Sequence, residues 1–309
     1  MIPRTTLTVT NGRCTVAGHE LFAGTMDDAV VAIDALRRRG GLHLVVTLNV
    51  DQILTLERDP QANEATARAS IRTIDGAPVL AVAKLLGARN VHRITGADLI
   101  EAVSQSAAGR GWRVAVVGGA PGVAEHAVAR LSARSGADLH AVAAPLFDDR
   151  GHDPADATIR ALTSLAPDVV FVCFGAPKQE LWVAQWRDRL PPAVYIGAGA
   201  AVDFAAGTRL RAPRVVQRIG GEWLWRLAQE PRRLVWRYLV RGPRFVLIAA
   251  RSIAQGLQRG GVGGRSREEP HARRGLSDDR QGEAGPRASS IAGHEAHRGV
   301  RDAEASRPR

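Results

Sequence analysis

Between residues 27 and 258, short unbroken apolar runs alternate with longer segments in which apolar positions recur at helical spacing. The runs at 42–50 (LHLVVTLNV), 112–117 (WRVAVV), 168–174 (DVVFVCF) and 193–196 (AVYI) are rich in Val, Ile and Leu. A strand covered on both faces needs apolar side chains on both, so such runs predict strands of a parallel sheet. Each ends in a loop carrying Asn, Gly or Pro and is followed by a helical pattern. The expectation is an α/β fold, a mostly parallel Rossmann-like sheet flanked by helices. In such sheets ligands bind beyond the carboxyl ends of the strands. The informative positions are therefore Asn49, Gly118 and Gly119, the stretch 175–180 and the stretch 197–203.

The pattern changes near residue 208, where arginine and tryptophan crowd together (TRLRAPRVVQRIGGEWLWRLAQEPRRLVWRYLVRGPRF). This segment predicts a basic, amphipathic helical appendage. Beyond it, large apolar side chains nearly vanish among Gly, Arg, Glu and Ser. Such a sequence cannot offset its ordering entropy, and a disordered tail is expected. The predicted organisation is an α/β domain at 1–207, the appendage at 208–258 and a polar tail at 259–309, with no repeat of solenoid length.

Composition narrows the choice of partners. A chain of 309 residues with 45% hydrophobic and 24% charged side chains can bury one main core. Its formal net charge of +11 draws it toward phosphate-bearing ligands: anionic lipid, nucleic acid or nucleotide. Cys14 and Cys173 lie far apart in sequence, so neither a disulfide framework nor a cysteine metal site is expected, and a reducing compartment fits. The N-terminal MIPRTTLTVTNGRCTV lacks an apolar export segment, and no run of roughly 18 apolar residues occurs, which disfavours export and membrane spanning.

Candidate chemistry falls where the sheet edge should be. Gly118, Gly119 and Gly122 follow a strand and open a helix, where bare backbone can approach a diphosphate. The spacing is not a dinucleotide fingerprint, and the same glycines equally make a tight strand-to-helix turn. In FGAPKQELW (174–182), Lys178, Gln179 and Glu180 arrive together after a strand. Lys178 could meet a phosphate and Gln179 could bond sugar hydroxyls, or the string is an ordinary helix start with proline in the first turn. Thr47 and Asn49 end another strand, and Asp75 ends ASIRTIDG. Asp75 is the candidate general base, although Asp-Gly also marks a turn. Arg93 and Asp98 in HRITGADLI suit a helix start with Thr95 or Asp98 at the cap, and Arg93 also suits a diphosphate clamp. His92, His126, His140 and His152 have no metal-ligand spacing, and no paired carboxylates end a strand, so no metal site is expected.

The appendage interleaves Arg209, Arg211, Arg214, Arg218, Arg226, Arg232, Arg233, Arg237, Arg241 and Arg244 with Trp223, Trp225, Trp236, Tyr238 and Phe245. Arginines bind lipid phosphates and tryptophans settle at the headgroup boundary, so a monotopic membrane contact leads. Core packing of the aromatics and a nucleic-acid surface use the same residue types.

Taken in order, TLN (47–49), DG (75–76), HRITGADL (92–99), VVGGAPGVAEHA (116–127), FGAPKQELW (174–182), GAGAAVDFAAGTRLRAP (197–213) and EWLWRLAQEPRR (222–233) resemble the WecG/TagA/CpsF glycosyltransferase family over roughly residues 25–245. The resemblance implies an inverting, metal-independent transfer, without cofactor, of N-acetylmannosamine, its uronic acid or another hexose. The donor would be a UDP-sugar and the acceptor a polyprenyl-diphosphate-linked sugar in cell-surface polysaccharide or teichoic acid synthesis. It implies Asp75 as base, Thr47, Asn49, Arg93 and Gln179 as substrate contacts, and Arg211, Arg232 or Arg233 at the diphosphate. It also implies a peripheral place on the anionic inner face of the cell membrane, no nucleic-acid partner, and self-association. The chain departs at 144–147, where it has Ala-Pro-Leu-Phe in place of a Gly-Tyr or Gly-Phe pair. Two other readings remain: a non-catalytic nucleotide-binding module docked on membranes, and a dinucleotide-dependent oxidoreductase motivated only by the glycine turn.

Overall fold

A computed structural model describes residues 5–145, 156–218, 220–229 and 231–262. The chain opens with a small antiparallel sheet of β1 (Leu7–Thr10), β2 (Arg13–Val16) and β3 (His19–Glu20). Asn11 and Gly12 both have positive φ at the two-residue turn between β1 and β2, with Thr10 opposite Arg13. That left-handed pair is the turn that matches strand twist in a tight hairpin.

The central sheet has six strands, β4 (Leu42–Leu48), β5 (Ile71–Ile74), β6 (Arg113–Gly118), β7 (Asp138–Val142), β8 (Val169–Cys173) and β9 (Ala193–Gly197). Their spatial order is β5-β4-β9-β8-β6-β7, and every pairing is parallel. The expected α/β sheet is thus present, and its parallel character is complete. Alternate residues of the central strands enter opposite cores. Val46, Leu48, Val170, Val172 and Tyr195 pack on one face. Val45, Val169, Phe171, Val194 and Ile196 pack on the other.

Helices α1 (Met26–Arg39), α5 (Gly96–Arg110), α6 (Val123–Ser135) and α9 (Ala201–Ala206) cover the second face. The first is covered by α2 (Val50–Leu56), α4 (Ala77–Leu85), α7 (Asp156–Leu165) and α8 (Lys178–Gln185), with α3 (Pro60–Ala67) packed against α2 and α8. The neighbouring strands β4 and β9 are followed by loops that turn to opposite faces, into α2 and α9. This opens a crevice at the carboxyl edge, the place where open α/β sheets bind ligands.

The arginine-rich segment is helical: α10 (Arg214–Arg218), α11 (Glu222–Gln229) and α12 (Pro231–Val262), the last containing Pro243. It is anchored to the α/β unit. Helix α12 packs on α2, α4 and β1, and its Phe245 and Ile248 are buried in the same core as β1 and β2. The buried Ser252 hydroxyl accepts the Leu7 N–H at 2.8 Å. Trp225 Nε1 and Gln229 Nε2 both donate to the Leu210 carbonyl, at 3.3 and 3.0 Å, which fastens α11 to the segment leaving α9. Among the described residues no helix is long and apolar enough to cross a membrane. The α12 helix continues past 259, where the tail was expected to begin. Leu146, Phe147 and His152, and the rest of the expected tail, lie outside the described residues.

Candidate active site

The crevice is built from the ends of four elements. Thr47 and Asn49 end β4, Asp75 follows β5, Gln179 stands in the first turn of α8, and Ala198–Ala201 lead from β9 into α9. Together with Gln52, Thr95, Gly96 and Phe204 they line a polar cleft of about 450 Å³. Gly96 is needed there, because a Cβ would lie 2.8 Å from the Ala198 carbonyl oxygen. Any side chain would push α5 off the β9–α9 loop.

The cleft's polar side chains are held by one another. Asn49 is the N-cap of α2: its Oδ1 accepts the Gln52 N–H at 3.2 Å while Gln52 Oε1 accepts the Asn49 N–H at 3.0 Å. This reciprocal capping box spends a buried glutamine on the helix start. Gln52 Nε2 then donates to Glu180 Oε1 at 3.1 Å, and Gln179 Nε2 donates to the same oxygen at 2.8 Å. Gln179 Oε1 accepts the Gly199 N–H at 3.0 Å, and the Thr47 hydroxyl donates to the Gly197 carbonyl at 2.9 Å. Burial pushes the Glu180 carboxyl above the ordinary glutamate value, against the lowering effect of these amide bonds.

At the rim, two ion pairs bring the expected arginines into play. Arg93 Nη1 lies 2.8 Å from Glu222 Oε2 in α11, with both side chains largely buried. Arg211 Nη1 lies 2.6 Å from Asp98 Oδ1, and its Nη2 donates to the Thr95 hydroxyl at 3.3 Å. Burial alone would raise the Asp98 carboxyl, but the Arg211 and Thr95 hydrogen bonds and the charges of Arg211 and Arg93 hold it below the usual carboxylate value. Arg211 is raised in turn, since burial is outweighed by Asp98 with help from Glu222 and Asp75. Thr95 caps α5, accepting the Asp98 N–H at 3.0 Å.

A second, larger space of about 1260 Å³ opens on the other side of Asp75, between the α/β unit and the appendage. Its walls are mostly apolar: Val50, Ala77, Pro78, Trp223, Phe245 and Val246, with Asp51, Asp75, Arg93 and Glu222 as charged members. Asn49 and Asp75 line both spaces.

The structure therefore gathers Thr47, Asn49, Asp75 and Gln179 around one cleft, and places Arg93 in the adjoining groove. Gly118, Gly119 and Lys178 line neither space. Gly118 has φ 117°, and a Cβ there would lie 2.7 Å from the Cys173 carbonyl oxygen, so close packing against β8 already accounts for it. Lys178 is exposed while its neighbours Gln179 and Glu180 turn inward. Arg232 and Arg233 belong to α12, but their side chains lie outside the described residues. His92 and His140 bond the Gly24 carbonyl and Asp138 respectively, and do not meet. Sequence reasoning missed Gln52, Thr95 as a cleft wall, and Glu222. Only Gln52 had a local signal, the Asn-x-x-Gln of a capping box after an apolar run.

A fully parallel sheet with a polar crevice at its carboxyl edge, and a carboxylate on the crevice rim, makes this an α/β protein of Rossmann-like architecture with a ligand site where that fold carries one. The Glycosyl transferase WecG/TagA/CpsF family matches residues 14–259, and the chain belongs to that family. It is a glycosyltransferase, with a sugar donor and an acceptor as its substrates.

Proposed function

We propose that the chain moves a hexose, of N-acetylmannosamine type, its uronic acid or another, from a UDP-sugar to a polyprenyl-diphosphate-linked sugar, with inversion. One observation carries the reading: Asp75 lines both the polar cleft and the apolar groove. An inverting transfer needs a base between donor and acceptor, within reach of the acceptor hydroxyl and opposite the leaving nucleotide. The cleft, with Thr47, Asn49 and Gln179, suits the hydroxyl-rich donor, and the groove, with Trp223, Phe245 and Val246, suits a lipid-linked acceptor.

In this reaction the acceptor hydroxyl gives its proton to the Asp75 carboxylate as its oxygen bonds to the anomeric carbon. The bond from that carbon to UDP breaks, and UDP leaves with the electron pair. One or more of Arg211, Arg232 and Arg233 offset the charge gathering on the diphosphate, the role assigned to a metal in other transferases, while Arg93 contacts substrate from the groove. The acceptor is a membrane lipid, so the same reading places the protein on the anionic inner face of the cell membrane. Leu224, Leu247 and Leu257, more than half exposed on α11 and α12, suit the headgroup boundary.

The test is UDP release from a panel of UDP-sugars with a short-chain polyprenyl-diphosphate-GlcNAc analogue, without added metal. Release with one donor is expected, reduced by about 10²–10⁴-fold in Asp75→Asn at unchanged melting temperature. Unimpaired turnover in that variant removes Asp75 as base. Silence across the panel with retained UDP binding points to another acceptor or to a non-catalytic nucleotide module.

A further inference from the structure

Glu180 is buried to 3% exposure beneath the cleft and is not itself a wall of it. It nevertheless receives the amide groups of two residues that are, Gln52 and Gln179, on a single oxygen. The direction of both amides is fixed independently. Backbone N–H groups can only donate, so the Asn49 N–H obliges Gln52 to present Oε1 there, and the Gly199 N–H obliges Gln179 to do the same. Both NH₂ groups are then forced toward Glu180 Oε1. Its Oε2 is buried and has no hydrogen-bond partner among the described residues. Gly197 makes room for this arrangement, because a Cβ there would lie 2.6 Å from Gln179 Nε2 and 3.2 Å from Glu180 Oε1.

We propose that Glu180 is the positioning residue of the donor cleft, locking the cleft-facing amides of Gln52 and Gln179, and through Gln52 the Asn49 cap, by accepting both on Oε1. It connects the loops after β4, β8 and β9, three elements whose ends meet at this site. The two amides need one acceptor oxygen only, which the neutral form of the acid retains as its carbonyl. Burial without a cation among its partners favours that form. A glutamine in its place keeps the carbonyl oxygen for the two amides and puts an uncharged NH₂ where Oε2 stood.

The proposal rests on the donor occupying this cleft, and it separates Glu180→Gln from Glu180→Met. The Gln variant is expected to keep the donor KM and kcat of the wild type within about twofold. The Met variant removes the shared acceptor from two buried amides, and donor kcat/KM falls by about tenfold or more. Side-chain amide NMR signals of Gln52 and Gln179 are followed in the wild type and both variants, and are expected to be unmoved by E180Q and shifted by E180M. Loss of transfer in a folded E180Q protein, or full efficiency in E180M, overturns the proposal. If the wild type itself transfers nothing, the transferase reading fails, and the amide signals alone decide: signals unmoved by E180M overturn the role of Glu180, and signals moved by E180M but not E180Q uphold it.

Discussion

Thr47, Asn49 and Gln179 face the cleft, yet each is already committed to the fold through a backbone bond to Gly197, the α2 cap or Gly199. Groups fixed in this way need no reorganisation when substrate arrives, which is how a polar site gains from preorganisation. The same commitment gives Glu180 a measurable pH signature. Its folded value is raised above the ordinary 4.5, so over the window from that value upward the folded state holds a proton that the unfolded chain has released. Stability therefore falls as pH rises through this window. Asp98 has the opposite sign: its folded value is lowered from 3.8, so its contribution is present above that value and lost as pH falls through the folded one. The melting temperature of Glu180→Gln relative to wild type is expected to rise as pH is raised from about 4.5 through the raised folded value of Glu180, and to level off above it. Parallel melting curves across that range would show that Glu180 gains no extra proton on folding. These residue-scale features were only half legible. The types and positions of Thr47, Asn49, Asp75 and Gln179 follow from strand ends, but helical phase decides that Lys178 faces out and Glu180 in, and phase depends on where α8 begins.

At the scale of elements, the central strands were readable because burial on both faces leaves an unbroken apolar run, as in VVFVC of β8. The outer strands β5 and β7 carry Arg72, Thr73, Asp138 and His140, and this polar content hid them. The N-terminal hairpin carried a clear mark in Asn11-Gly12, but its strands are only four residues long. No local pattern could reveal that α11 reaches the segment between α4 and α5. That contact is the Arg93–Glu222 pair, 129 positions apart in sequence and with both side chains less than one-fifth exposed. A charge-assisted bond shielded to this degree should couple the two residues strongly. In a double-mutant cycle of Arg93→Ala and Glu222→Ala, followed by denaturant unfolding, a coupling on the order of 1–3 kcal/mol is expected. Additivity within about 0.3 kcal/mol would mean that the pair does not hold α11 in solution.

For the whole molecule, the question is how basic helices proposed to meet a membrane can also serve the core. Composition located them but could not divide their aromatics between the two roles. Phe245 is 6% exposed and packs with Cys14 and Leu7, whereas Trp223 is 46% exposed in the wall of the groove. Cutting the chain at 208 would therefore remove core as well as surface. The truncated protein is expected to melt lower and to expose Cys14, whose thiol burial now pushes up to about 11, to alkylating reagents. Loss of membrane binding in that truncation would not distinguish a missing surface from a damaged fold. Leu224→Glu with Leu247→Glu changes only exposed positions. That double variant should keep the wild-type melting temperature and slow Cys14 labelling while binding phosphatidylglycerol vesicles about tenfold more weakly in flotation. Wild-type flotation should itself weaken with added salt, because the arginines act through screened charge. Undiminished vesicle binding by the double variant would move the membrane contact away from these leucines, and the acceptor would then have to reach the groove beside Asp75 by another face.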